Sequence, residues 1–131
     1  MVMRRLNDQF LVGVTGIIFN EKKQILLFHH TYRTTQWSLP GGYLKAKEHP
    51  KEGLEREVKE ESGLIVSADK RLRIRTDRDS ARLDIVYTGL FMGGTFTPSA
   101  EVTKAEFFSF DDLPLISKDQ LLLMQEAFKN R

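Results

Sequence analysis

The sequence predicts an α/β (α+β) fold, a mixed β-sheet with two helices, in a single domain over residues 1–131. Three observations predict it. Apolar, β-rich runs separated by polar or glycine-bearing breaks recur along the chain, as expected of strands. Glu52–Ser62 is rich in strong helix formers and is followed by Gly63, a residue suited to the left-handed position that ends a helix. Ser117-x-x-Gln120 has the form of a capping box and opens a second helix near the end of the chain.

The elements follow in order. FLVGVTGIIF (Phe10–Phe19) and ILLF (Ile25–Phe28), separated by NEKKQ, read as a β-hairpin with a short turn. HHTYRTTQ reads as a polar loop, and Pro40-Gly41-Gly42 as a break in regular structure. Gly53 lies inside the first helix, where glycine costs roughly 0.5–1 kcal/mol relative to alanine. From Arg71 to Arg75, Leu72 and Ile74 alternate with three arginines, as on a half-buried strand. DRDSA turns the chain into a longer strand, LDIVYTGLFM. Gly93-Gly94 and Pro98 open another loop, and AEFFSF (Ala105–Phe110) is a further strand. The last helix carries Leu121, Leu122, Met124 and Phe128.

Composition narrows the function classes. Hydrophobic residues make up 40% and charged residues 29% of the chain, ordinary values for a soluble globular protein. The net charge of +2 comes from interleaved acids and bases, so it does not argue for nucleic acid or a membrane surface. The absence of cysteine excludes disulfides, thiolate metal sites and a cysteine nucleophile. MVMRRLNDQF lacks the apolar stretch of a secretory signal. No apolar run reaches the roughly 18–20 residues of a bilayer span. A cytoplasmic protein is expected.

The first helix concentrates acids. At about 100° per residue with Leu54 at zero, Val58 falls at about 40°, Glu61 at about −20°, Glu57 at about −60° and Glu60 at about −120°. Leu54 and Val58, the bulky apolar residues of the segment, mark its buried face. Glu61 then points along the buried stripe, with Glu57 and Glu60 to one side. Lys51, Glu52, Glu55 and Lys59 read as a solvated face. Three carboxylates within about one quadrant repel each other, and burying an unpaired one is unfavourable. A bound divalent cation relieves both problems, and a carboxylate-only set suits Mg²⁺ or Mn²⁺ rather than zinc. The plain alternative is a charged surface helix.

These residues belong to a longer pattern. Gly42 to Leu64, GYLKAKEHPKEGLEREVKEESGL, fits G-x5-E-x7-R-E-U-x-E-E-x-G-U, where U is a bulky aliphatic residue. Gly42, Glu48, Arg56, Glu57, Val58, Glu60, Glu61, Gly63 and Leu64 fill the defined positions. The pattern is that of the Nudix box, and the chain resembles Nudix hydrolases. Lys47 and Gly53 depart from common family habit without touching a defined position. The resemblance implies a mixed sheet sandwiched between helices. It also implies metal-dependent hydrolysis of a diphosphate in a nucleoside triphosphate, ADP-ribose, nucleotide sugar or similar compound, releasing a nucleoside monophosphate. By motif position Glu57, Glu60 and Glu61 are the metal ligands, and Arg56 orients the catalytic glutamates. On its own residues, Arg56 also reads as an i,i+4 surface pair with Glu60. Gly41 and Gly42 let the backbone come close to the phosphates or the metal. Glu48 either caps the helix or assists at the site.

The family's general base is a box glutamate or one on a later loop. Glu101, in PSAEVTKAEFF six residues before Phe107, resembles the loop glutamate of antimutator-type members; Glu106 is its competitor. For the substrate, HHTYRTTQW holds His29, His30, Tyr32, Arg33 and Trp37, of which Arg33 is the expected anion contact and Trp37 reads as core. The histidines read as the end of a strand. Arg71, Arg73 and Arg75 read as sharing one face, the wet side of the sheet rather than a phosphate clamp. The expected partner is a small nucleotide, with no membrane and no stable nucleic-acid complex; a homodimer is left open. Rival readings are a nucleotide-sensing domain that does not hydrolyse and an RNA end-processing hydrolase. Three intact acids weigh against the first, and the lack of an evident basic groove against the second.

Overall fold

A computed structural model describes residues 11–31, 37–77 and 81–130. The chain order is β1 (Leu11–Phe19), β2 (Ile25–His29), β3 (Trp37–Ser38), β4 (Gly41–Tyr43), α1 (Pro50–Ser62), β5 (Leu64–Asp77), β6 (Arg82–Gly94), β7 (Lys104–Phe108) and α2 (Lys118–Lys129), with a 3-10 turn at Phe110–Asp112. Phe10, Tyr32 and Arg33 lie outside the described residues.

The near-continuous apolar runs of β1 and β2 follow from burial on both faces. Val14, Ile18, Leu26 and Phe28 pack with Leu54 and Val58 of α1. Ile17, Phe19, Ile25 and Leu27 pack with Leu123, Met124 and Ala127 of α2. Period-two alternation thus sends successive side chains to opposite helices, and the sheet lies between them. The expected hairpin forms, with Phe19 opposite Ile25. Its turn is held by Asn20, whose side-chain oxygen accepts hydrogen bonds from the amides of Lys22 (3.0 Å) and Gln24 (2.9 Å).

The sheet is mixed, in the order β3-β2-β1-β6-β5. β1 and β6 run parallel, from Leu11 opposite Arg82 to Phe19 opposite Leu90. Beyond the Phe19–Ile25 pair, β1 and β2 part, and residues 37–43 occupy the fork. There β3 pairs with β2 through Trp37 and Ser38, and β4 pairs with β1 through Gly41, Gly42 and Tyr43. β7 lines the other edge of β2. The expected break at Gly41-Gly42 is therefore a short strand. Its glycines serve for space: a Cβ on Gly41 would meet the carbonyl oxygen of Val14, and one on Gly42 the carboxylate of Glu57.

Both helices form, with corrections at their ends. α1 starts two residues earlier than expected, because Pro50 suits a first turn and His49 caps it, its Nδ1 accepting from the Lys51 amide at 3.1 Å. The cap is thus His49, not Glu48. Gly63, at φ 77°, closes the helix as expected, its amide donating to Lys59 O. In α2, Ser117 caps through the Gln120 amide (3.3 Å), but Gln120 does not complete the box; its side-chain oxygen accepts from the Leu39 amide at 2.9 Å. Leu123 is buried on α2 and Leu122 is exposed. β5 is far longer than the expected Arg71–Arg75, starting directly after Gly63, and β6 runs through Gly93-Gly94. An irregularity in β5 between Arg71 and Arg73 puts Arg71 out of step, so the three arginines do not share a face. Arg73 pairs with Glu126 (2.9 Å) and Arg75 with Asp84 (2.9 Å). Glu55, expected in solvent, is half-buried and accepts from the Ala68 amide at 2.9 Å, beside another β5 irregularity. Among the described residues, no helix is long and apolar enough to cross a membrane.

Candidate active site

With Leu54 and Val58 buried, the helical period turns Glu57 and Glu61 to a half-buried position and leaves Glu60 exposed. Arg56 organises this face. Its Nε donates to Glu48 Oε2 at 2.6 Å and its Nη2 to Glu48 Oε1 at 3.0 Å, a fork-on-carboxylate pair. Its Nη1 donates to Glu57 (2.7 Å) and to Glu60 (3.0 Å), and Nη2 also reaches the Tyr43 carbonyl at 3.1 Å. The i,i+4 pair with Glu60 is therefore one contact of several. The Arg56 guanidinium and the Lys45 amide, which donates at 3.0 Å, hold the Glu48 carboxyl down at about 2. Glu48, with Glu57 in support, pushes the guanidinium above its ordinary range.

Glu57 and Glu61 line a cleft of about 350 Å³ that also takes in Gly41, Gly42 and Tyr43. This size is within the range of small-molecule sites. From the α2 side the cleft is lined by Thr15, Arg82 and Gln120. It is further lined by Glu101 and His30. His30 is buried, and its Nδ1–H donates to the Glu101 carbonyl at 3.1 Å. His29 Nδ1 pairs with Thr103 Oγ1 at 3.0 Å, so the two histidines fasten the chain at Glu101 and at Thr103, just before β7. Glu106 lies on β7 opposite Leu27, exposed and away from the cleft lining. Trp37 packs edge-on against His29 (4.9 Å) and Phe108 (5.0 Å), in keeping with a core role.

The fold thus brings Glu57, Glu61, Glu101, Gly41 and Gly42 together. It leaves Glu60 at the rim, and Glu48 and Arg56 behind the acids as their support. Among the described residues, no three His, Asp or Glu side chains stand at the spacing that would hold a metal ion. Arg56 accounts for part of this, since its Nη1 draws one oxygen of Glu57 and one of Glu60 toward itself. Sequence reasoning missed Tyr43, Thr15, Arg82 and Gln120. Tyr43 was within reach as the neighbour of Gly42, but Arg82 carries no local signal; it arrives through the β1–β6 register.

Comparisons with known proteins agree with this layout. The family model of the NUDIX domain matches residues 9–128. An ADP-ribose pyrophosphatase of Methanocaldococcus jannaschii is 31% identical over 124 residues, 90% of this chain and 73% of that protein. The crystal structure of an ADP-ribose pyrophosphatase from Streptococcus suis superposes with a TM-score of 0.76 at 32% identity, covering 92% of this chain and 93% of that one. A UDP-X diphosphatase superposes with a TM-score of 0.77 at 25% identity over 94% of this chain, which spans 65% of its length. A family match over nearly the whole described fold, with two acids of the box, Glu57 and Glu61, lining one cleft, leaves one conclusion: the chain belongs to the NUDIX family and is a Nudix diphosphohydrolase.

Proposed function

We propose that the protein hydrolyses the diphosphate of a nucleoside diphosphate derivative with Mg²⁺ or Mn²⁺, releasing a nucleoside monophosphate, and that ADP-ribose is the first compound to test. The observation that carries this reading is that acids from two distant segments, Glu57 and Glu61 on α1 and Glu101 after β6, line one cleft. The choice of ADP-ribose is supported by the names of the relatives that are 31% and 32% identical.

By donor type the residues suit a hard divalent cation. All candidate ligands are carboxylates, and Gly42 leaves open the space that the Glu57 carboxylate occupies. Glu57 and Glu61 would hold the ion from within the cleft. Glu60 would join from the rim, where its exposed side chain turns at little cost. A cation there supplies charge neutralisation at the phosphoryl oxygens and a more acidic bound water. Arg56 orients Glu57 and Glu60, and Glu48 keeps Arg56 in place. Glu101, held at its backbone by His30, takes the proton of the attacking water or adds an oxygen ligand. Gly41 and Gly42 let the phosphates approach the β4 backbone. Arg33 stays part of this reading as an anion contact, although it lies outside the described residues. A small nucleotide partner and a cytoplasmic setting belong to the same proposal.

The test is turnover against a panel of nucleoside diphosphate derivatives, with Mg²⁺, with Mn²⁺ and with chelator. Metal-dependent release of a nucleoside monophosphate is expected, and Glu60→Gln is expected to lose most of it while the fold persists. Nucleotide binding without turnover on any compound would replace this reading with the sensing one.

A further inference from the structure

Among the described residues lining the cleft, Arg82 is the one arginine or lysine. Its seat is built from three strands. The β4–β1–β6 register puts Tyr43 opposite Gly13 and Gly13 opposite Asp84, with Arg82 two residues before Asp84 on the same strand face. The guanidinium stands over the Tyr43 ring, 5.3 Å from its centroid. It also occupies the space above Gly13, where a Cβ would come within 3.2 Å of Nη2 and 3.4 Å of Nε.

Asp84 takes only part of this guanidinium. Buried at 4% exposure, Asp84 accepts from Thr15 Oγ1 (3.2 and 3.1 Å) and from Arg75 Nη2 (2.9 Å), and its ion pair with Arg82 Nη2 is the longer one, at 3.8 Å and without a hydrogen bond. Arg75 is thus the hydrogen-bonded partner of Asp84, and Arg82, which lines the cleft, keeps planar N–H donors suited to two phosphate oxygens.

We propose that Arg82 is a specificity-determining residue that grips the diphosphate of the substrate, and that Tyr43 and Gly13 are positioning residues that hold it ready. This rests on the diphosphate-substrate reading above. Arg82 puts a positive group into a cleft whose other charged lining residues are the carboxylates Glu57, Glu61 and Glu101, so it bears directly on how an anionic substrate is held. The Tyr43 ring gives the guanidinium a second support beside the long Asp84 pair, at the lining of the cleft.

Two measurements test it. With Mg²⁺ and ADP-ribose, Arg82→Gln is expected to raise KM by roughly tenfold to a hundredfold, the scale of one charge-assisted hydrogen bond, with a much smaller change in kcat. Arg82→Lys recovers part of the loss, because it restores charge without the fork. Tyr43→Ala raises KM in the same direction, and Tyr43→Phe, which keeps the ring, recovers it. Calorimetric titration with ADP and with adenosine separates this from a structural role: Arg82→Gln weakens ADP and leaves adenosine unchanged. An unchanged KM, or equal weakening of ADP and adenosine, overturns the proposal. Failure of the hydrolase reading looks different, as absent turnover by the unaltered protein while ADP binding still depends on Arg82.

Discussion

The two walls of the cleft are built in opposite ways. On the α1 wall, Arg56, Glu57, Glu60 and Glu61 fall within six consecutive residues, and one guanidinium ties Glu48, Glu57 and Glu60 together. On the other wall, His30, Arg82, Glu101 and Gln120 come from four separate segments and meet through sheet register and two histidine contacts. A helix period places the acids of the first wall relative to one another without any pairing between distant segments. The second exists only when β1, β4 and β6 are aligned. A local motif is therefore enough to assemble charge, while the group that answers that charge is set by topology.

The sharpest break of this comparison removes one acid from each wall. Glu57→Gln and Glu101→Gln are each expected to lower kcat by about 10²–10⁴-fold, the range of a lost acid–base group, with circular dichroism unchanged. Glu106→Gln, out on β7, keeps its turnover; a loss there equal to that of Glu101→Gln would move the base to β7. A smaller effect separates the two glycines of β4. Gly42→Ala pushes on the movable end of Glu57, so stability holds while kcat falls on the order of 10²-fold through misplacement of that carboxylate. Gly41→Ala pushes on the Val14 backbone instead, so it lowers stability by about 1–3 kcal/mol in denaturant unfolding. Equal thermal stabilities for the two variants would refute this division.

The smallest effect concerns the support behind the α1 wall. Arg56 holds Glu48 at about 2 in the folded protein, against an ordinary value of 4.5. As pH falls below 4.5 the unfolded chain takes up this proton and the folded one does not, so the stabilisation is full above that value and is lost as pH drops toward 2. Glu48→Gln should therefore flatten the acid side of the stability profile between these limits. Parallel profiles for the two proteins would place the acid-sensitive group elsewhere.

The box was legible because its spacing matches a helix period. Leu54 and Val58 oriented the helix correctly, and from them Glu57 and Glu61 were placed toward the site. Gly63 and Ser117 marked helix boundaries, because left-handed backbone and an orphan amide each select a narrow set of residues. The sequence left Glu48 open between a helix cap and a role at the site, because a cap and a salt-bridge partner need the same carboxylate at nearly the same place; the structure gives the cap to His49. β4 was hidden because Pro40-Gly41-Gly42 read as a break in regular structure, since glycine and proline normally interrupt strands; here the closeness of Val14 and Glu57 leaves no room for side chains at Gly41 and Gly42. The length of β5 was hidden by its irregularities, which break the alternation that announces a strand.

By itself the sequence determined the sheet-and-helix class, the acid-bearing helix and its buried face, because these depend on periodicity and on residues a few positions apart. Only the tertiary structure decided that Glu101 rather than Glu106 reaches the cleft, that His30 secures the segment carrying it, and that Arg82 stands over Tyr43 in the same cleft as the acids. Those outcomes depend on which strands pair and in what register. Register is the sum of many weak contacts across the sheet, and no short stretch of residues contains it.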